Sequence, residues 1–363
     1  MHAGRRHAVS LIALIGAASL VLSGCGSDSS AEEDGAVTFD KNITMIINFS
    51  AGGPTDTMGR VFAKYLKANL PGEPNIIIKN TPTAGGVVGT NDVYEADPDG
   101  QTIGFFTGSS MLAHEVTKSP AFKAESSKFV YLGAVPDDTV FFAREDLGVK
   151  THKDIPSAEG IVVGGFSPSA GIDMFSRTVL DAFGADYKYV TGYAGFSEGL
   201  NALDKKEVNT FSISQGGFLP QVKTIDEGGD YVALLQSGMT DDKGVINSSP
   251  QLEGLPIAND VLKEAGAPQV YQDALSLLTS MSTISRVILA PPGTPEDVTE
   301  AYRSALIKTV EDPNFKKDVE KLLGYELKFV DGAKTQESVK FFNDLAAKSG
   351  ESVAYLTDLS QRK

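Results

Sequence analysis

Short apolar runs that end in Gly-, Ser- or Thr-rich turns and then enter amphipathic helices recur along this chain. That rhythm restricts it to an α/β architecture with a mainly parallel sheet in each lobe, flanked by helices. Residues 43–49 form an apolar strand, and Ser50-Ala51-Gly52-Gly53-Pro54 turns it. Residues 55–69 then place Met58, Val61, Phe62, Tyr65 and Leu66 on one helical face. Pro71-Gly72 stops that helix. The unit returns at 76–79, with the turn 81–86, and at 102–106, with Thr107-Gly108-Ser109-Ser110. Later it returns at 161–163, with the loop 164–171, and at 187–190, with Thr191-Gly192-Tyr193-Ala194-Gly195. The rhythm repeats without an evident sequence repeat.

Residues 129–135 and 139–143 read as extended, and the first crossing into a second lobe is expected there. Residues 286–290 are expected to bring the chain back. The division is 39–140 plus 286–363 for the first lobe and 141–285 for the second, with hinges at 139–143 and 285–290. A chain of 363 residues suits two lobes better than one core.

The N-terminus points to export. Arg5, Arg6 and His7 precede an apolar run over 8–22 that is too short to span a bilayer, and the run ends in Leu22-Ser23-Gly24-Cys25. The reading is a lipoprotein signal over 1–24, acylation of Cys25 and a flexible tether over 25–38, so that the protein is held on the extracytoplasmic face of the cell membrane. A secretory signal followed by a chance cysteine is the alternative, and Arg5-Arg6 also permits twin-arginine export. Cys25 is the sole cysteine, and only His114 and His152 lie beyond it. With that thiol acylated, disulfides, zinc sites and histidine triads are poorly served. A formal net charge of −15 argues against nucleic acid and anionic lipid as partners. The P-loop and a dinucleotide fingerprint are absent. No catalytic residue, metal or cofactor is expected.

Ligands of open α/β sheets bind beyond the carboxyl ends of the strands. Each such end here leads into a helix start, whose unpaired amides and positive dipole end attract an anion without any lysine or arginine. The expected ligand is therefore a small carboxylate held by backbone amides and hydroxyls. The candidate residues are Phe49, Ser50, Ala51, Gly52, Gly53, Thr55 and Asp56; Thr107, Gly108 and Ser109; and Ser167, Ser169, Ala170, Gly171, Tyr193 and Gly195. Thr55 and Asp56 serve equally well as helix caps, and Gly52-Gly53 as an ordinary turn. Arg177 reads as a surface or interlobe ion-pair residue, and the pair of Ser109 or Ser110 with His114 as coincidence.

At these residues the sequence resembles the substrate-binding receptors of tripartite tricarboxylate transporters, the Bug receptors. The matching stretches are Ile43 to Arg60, Asn80 to Gly89, Ala96-Asp97-Pro98-Asp99-Gly100-Gln101-Thr102, and Leu289-Ala290-Pro291-Pro292-Gly293-Thr294-Pro295 leading on to Asp312-Pro313. The resemblance implies a two-lobed, type II periplasmic-binding-protein fold that closes on a small organic acid. It also implies a monomer, and large and small membrane subunits of a proton- or sodium-coupled transporter as partners. A sensor lipoprotein docking a receptor kinase is the alternative, and an extracytoplasmic enzyme a more distant one. The second lobe departs from the family pattern: the usual Gly-Ser-x-x-His stands here as Gly171-Ile172-Asp173-Met174. If Asp173 faces the cleft, its charge disfavours a multiply charged anion.

Overall fold

The computed structural model describes residues 37–362, apart from Ala194, Asp242 and Lys243; the expected signal sequence, Cys25 and most of the expected tether lie outside that range. The first strand, β1 (Ile43–Ile47), leads into α1 (Pro54–Asn69), β2 (Ile76–Asn80), α2 (Val87–Tyr94), β3 (Thr102–Thr107), α3 (Gly108–Val116) and β4 (Val130–Val135). Proline at the first position of α1 has a φ suited to a helix start and no amide to leave unpaired. Met58, Phe62 and Leu66, one turn apart, are all buried. They pack with Ile47, Phe105 and Phe315 in one apolar cluster beneath the sheet.

The chain then enters a second sheet through β5 (Thr139–Arg144) and β6 (Ile161–Gly165). There follow α4 (Gly171–Ala182), β7 (Tyr187–Thr191), α5 (Phe196–Asp204), β8 (Thr210–Ser214), α6 (Gln215–Gln221) and β9 (Tyr231–Gln236). A small hairpin, β10 (Met239–Thr240) and β11 (Ile246–Asn247), precedes α7 (Ala258–Glu264) and α8 (Gln269–Ser280). The return strand β12 (Arg286–Ala290) is followed by α9 (Glu296–Glu311), α10 (Pro313–Leu323), β13 (Val330–Asp331), α11 (Gly332–Lys348) and α12 (Gly350–Leu359).

The sheets run β13-β4-β12-β3-β1-β2 and β7-β6-β8-β5-β9. In each, the first strand–helix unit pairs in parallel on both sides, β1 with β2 and β3, β6 with β7 and β8. In each, one antiparallel strand is inserted beside the third: β12 next to β3, β5 next to β8. Both inserted strands carry a register shift against their outer neighbour, at Ile288/Leu289 and at Phe141/Phe142. Apart from the edge strand β13, the lobes are topological copies.

Two expectations change. Residues 139–144 and 286–290 are interior strands, β5 and β12, fixed by hydrogen bonds on both edges. The chain passes between the sheets just before them, at 136–138 and 281–285. The final helix also leaves the company of the first sheet, with which the sequence reading groups residues 286–363. Tyr355 on α12 meets Tyr271 of α8 edge to face at 5.1 Å, and it donates to Asp181 of α4 at 2.6 Å. Leu356 and Leu359 are fully buried in the cluster that holds Leu275 and Val179. This docking follows from the apolar stripe on α12, which needs a helical groove, and α4 with α8 supplies one.

Candidate functional site

A cleft of about 500 Å³ lies between the lobes, lined from both of them and floored by the two crossings. Part of its polar surface comes from helix starts. The first turns of α1, α3, α4 and α5 all reach it, through Gly53 to Thr55, Ser109 and Ser110, Ala170 to Ile172, and Gly195 to Glu198. The first amides of each helix have no carbonyl within the helix to bond, so the cleft is rich in donors. The side chains of Thr55 and Thr107 hydrogen-bond to one another at 2.8 Å, joining the starts of α1 and α3.

Of the candidate residues, Phe49, Ser50, Ala51, Gly52, Gly53, Thr55, Thr107, Ser109, Ala170, Gly171 and Gly195 line this cleft. Gly52 has φ +82°, the left-handed conformation that glycine adopts without penalty. Asp56, Gly108, Ser167, Ser169 and Tyr193 do not line it. Asp56 is turned back into its own loop, accepting from the Gly52 amide at 2.8 Å, Arg60 Nε at 2.9 Å and Asn80 Nδ2 at 2.9 Å. The Gly108 amide donates to the Ser285 carbonyl of the second crossing at 3.0 Å. Ser167 and Ser169 bond to each other across their turn at 3.1 Å. Tyr193 packs on Phe211 in the second-lobe core, ring centroids 6.1 Å apart.

Asp173 does not face the cleft either. It accepts from the amides of Phe166 at 2.6 Å and Ser167 at 2.8 Å, and from the Tyr189 hydroxyl at 2.8 Å. Its charge therefore bears on the loop behind the cleft wall rather than on a ligand. Burial, only partly offset by these donors, pushes its pKa up to about 7. Burial pushes Asp56 the same way, but hydrogen bonds from Arg60, Gly52 and Asn80 outweigh it and hold that carboxyl below its ordinary range.

These two aspartates expose a repeat that the rhythm of elements concealed. Phe49-Ser50, five residues, Asp56, three residues, Arg60 recurs as Phe166-Ser167, five residues, Asp173, three residues, Arg177. The intervening residues differ throughout, which hides the match from a reading by adjacent identity. Arg177, expected at the surface or between lobes, is buried. It lies over the Tyr189 ring at 4.2 Å and donates to the Arg362 carbonyl at 2.9 Å. His114 is committed away from Ser109 and Ser110: Nε2 donates to the Gly85 carbonyl at 3.0 Å, and Nδ1 accepts from Ser119 Oγ at 2.9 Å.

Sequence reasoning missed the floor. Arg286, at the start of β12, forms a buried ion pair with Asp137 of the first crossing. Its Nη2 also donates across to Ser214 Oγ of β8 at 3.3 Å, and Gly216 of α6 donates its amide to Asp137 at 3.2 Å. The neighbouring Asp138 accepts from Ser237 Oγ at 2.7 Å and the Gly238 amide at 2.8 Å, and burial pushes its pKa up to about 7. The available signal was the adjacency of Asp137-Asp138 to the expected crossing. Nothing in the sequence pairs Asp137 with an arginine 149 positions away.

Two α/β lobes of matched topology, joined at crossings that floor a donor-rich cleft, define a two-lobed solute-binding protein of the periplasmic type. Residues 58–235 match the family described as tripartite tricarboxylate transporter family receptor, TctC. A UPF0065 protein of Bordetella pertussis is 27% identical over 301 residues, covering 79% of this chain and 81% of that protein. BugT of the same organism is 38% identical over 79 residues, 22% of this chain and 24% of that one. Among solved structures, the periplasmic binding protein BugD superposes with TM-score 0.61 at 20% identity, over 88% of this chain and 97% of that one. MatC of Rhodopseudomonas palustris with bound malate gives TM-score 0.59 at 19% identity, over 88% and 99%. An R. palustris protein with adipate gives 0.64 at 16% identity, over 88% and 97%. Through the match over 58–235 the chain is similar to the tripartite tricarboxylate transporter receptor family.

Proposed function

We propose that this protein captures a small organic carboxylate outside the cytoplasm and presents it to the membrane subunits of a tripartite tricarboxylate-type transporter. The observation that carries this reading is the convergence of the α1, α3, α4 and α5 starts on one cleft. Helix starts stabilise an anion through amides and dipoles without a covalent nucleophile or a titrating base. Among the described residues, the one cationic side chain lining the cleft, Arg286, is paired with Asp137 and adds little net charge. The malate and adipate held by the two solved neighbours support a carboxylate as the ligand class. Capture closes the lobes about the crossings at 136–138 and 281–285. The protein acts as a receptor without turning its ligand over, as a monomer held at the membrane through acylated Cys25.

A thermal-melting screen of organic acids tests this, because a ligand that binds only the folded state raises the melting temperature. At least one carboxylate is expected to do so, and Gly52→Val, which forces a β-branched residue into left-handed backbone, is expected to abolish the shift. If no acid in a broad panel stabilises the protein, or if the best binder is chemically converted, the reading fails. Membrane fractionation tests the anchor: Cys25→Ala is expected to release the protein, and an unchanged membrane fraction contradicts it.

A further inference from the structure

The repeated pattern fixes more than the backbone of the two loops. Phe49 and Phe166 occupy the same place in it, each followed by the serine and then the loop-bonded aspartate. One comes from the first lobe and the other from the second; both are only partly buried, and both line the cleft. Phe166 is braced edge-on by Phe211, ring centroids 5.4 Å apart, which fixes its plane. Between the helix starts most of the wall surface is apolar, with Phe175, Phe196, Leu278 and Met281 contributing, and Ser214, Ser237 and Ser282 add hydroxyls near the floor. Among the described residues the charged lining ones are Asp137, Glu198 and Arg286, and of these only the paired arginine is positive, which leaves a second or third carboxylate without a cationic partner. Burying hydroxyl or carboxylate groups of a short polar acid against these rings costs free energy without compensation. A cleft of about 500 Å³ also exceeds the needs of a four-carbon acid and falls in the range that encloses a ring-bearing molecule.

We propose that Phe49 and Phe166 form a two-sided clamp on a planar apolar body, so that the ligand is an aromatic monocarboxylate with its carboxylate at the helix starts. This rests on the carboxylate reading above. The two lobes then contribute equally in kind to both halves of the ligand: amides to the anion, one ring each to the body. Closure brings the rings together, so affinity depends on both at once.

Isothermal titration of the purified protein with benzoate, 4-methylbenzoate and 2-naphthoate, against malate, adipate and citrate, tests the clamp. At least one aromatic acid is expected to bind tenfold or more tightly than any of the other three. Phe49→Ala and Phe166→Ala are each expected to weaken that binding about tenfold, that is by about 1.4 kcal/mol, through loss of an aromatic contact and its buried area. Phe166→Leu keeps apolar volume and guards against a folding defect; it is expected to lose a threefold or greater share of affinity with the melting temperature kept. If malate, adipate or citrate binds as tightly as the aromatic acids, or if the phenylalanine variants bind the aromatic acid within twofold of wild type, the clamp is overturned while the carboxylate reading stands. If no acid of either kind binds, both fall together.

Discussion

Asp173 stands to the second-lobe loop as Asp56 stands to the first, yet the two carboxyls are driven in opposite directions. Each is the third residue of its helix, and each accepts amides from the loop it caps. The difference lies one turn on. Arg60 donates directly to Asp56 at 2.9 Å, whereas Arg177 is drawn away onto Tyr189 and the Arg362 carbonyl. A direct cationic donor keeps Asp56 ionised, and without one burial dominates at Asp173.

Opposite shifts give opposite pH dependence. The folded pKa of Asp173 is raised to about 7, so its contribution is fully present below the ordinary value of 3.8 and is lost as pH rises through about 7. Asp138 behaves the same way. Asp56, lowered, contributes above 3.8 and loses that contribution as pH falls below it. Denaturant unfolding between pH 5 and 8 is expected to show stability falling with pH, by a few kcal/mol at most. Asp173→Asn is expected to remove about half of that slope. Asp56→Asn is expected instead to cost about 1.5–3 kcal/mol at pH 7, as the loss of hydrogen bonds to a charged group does. A wild-type slope left intact by Asp173→Asn contradicts the assignment.

Arg286 and Asp137 hold the floor of the cleft as a buried ion pair that reaches both sheets. Removing one partner strands the other charge away from water, so Arg286→Leu or Asp137→Leu alone is expected to cost about 3–5 kcal/mol. The double Leu variant is expected to cost much less than the sum of the singles. A double-mutant cycle by urea unfolding measures this, and additive costs contradict a coupled pair.

At Gly108 the first lobe meets the second crossing backbone to backbone, its amide donating to the Ser285 carbonyl at 3.0 Å. A Cβ on this glycine would come within 2.2 Å of the Ile284 carbonyl oxygen, a backbone atom that cannot step aside alone. Gly108→Ala is expected to cost about 1–3 kcal/mol, as overpacking does, and to shift the crossing. Unchanged stability contradicts that contact.

The fold was largely legible because each strand–loop–helix unit announces itself locally. Apolar runs, Gly-rich turns and the face carrying Met58, Phe62 and Leu66 are all short-range signals. The chain's crossings were legible only to within a few residues, because β5 and β12 look like extended connectors until their partners on both edges are known. Of the candidate site, the cleft-lining loop residues were legible from helix-start chemistry. Asp56 and Asp173 carried an ambiguity that sequence cannot resolve, since a carboxylate at the third helical position can turn outward to a ligand or back to the loop. Arg286 and the docking of α12 on α4 and α8 depend on contacts between distant segments, and no local pattern encodes them.

The central claim is that helix starts from both lobes hold a carboxylate as an anion. Titration calorimetry of the purified protein with its tightest-binding acid and with the primary amide of the same acid tests it most directly. The amide keeps the shape and loses the charge. Charge-assisted bonds to the helix starts are roughly twice as strong as neutral ones, so the amide is expected to bind about a hundredfold more weakly or not at all. Equal affinity for acid and amide would contradict the account.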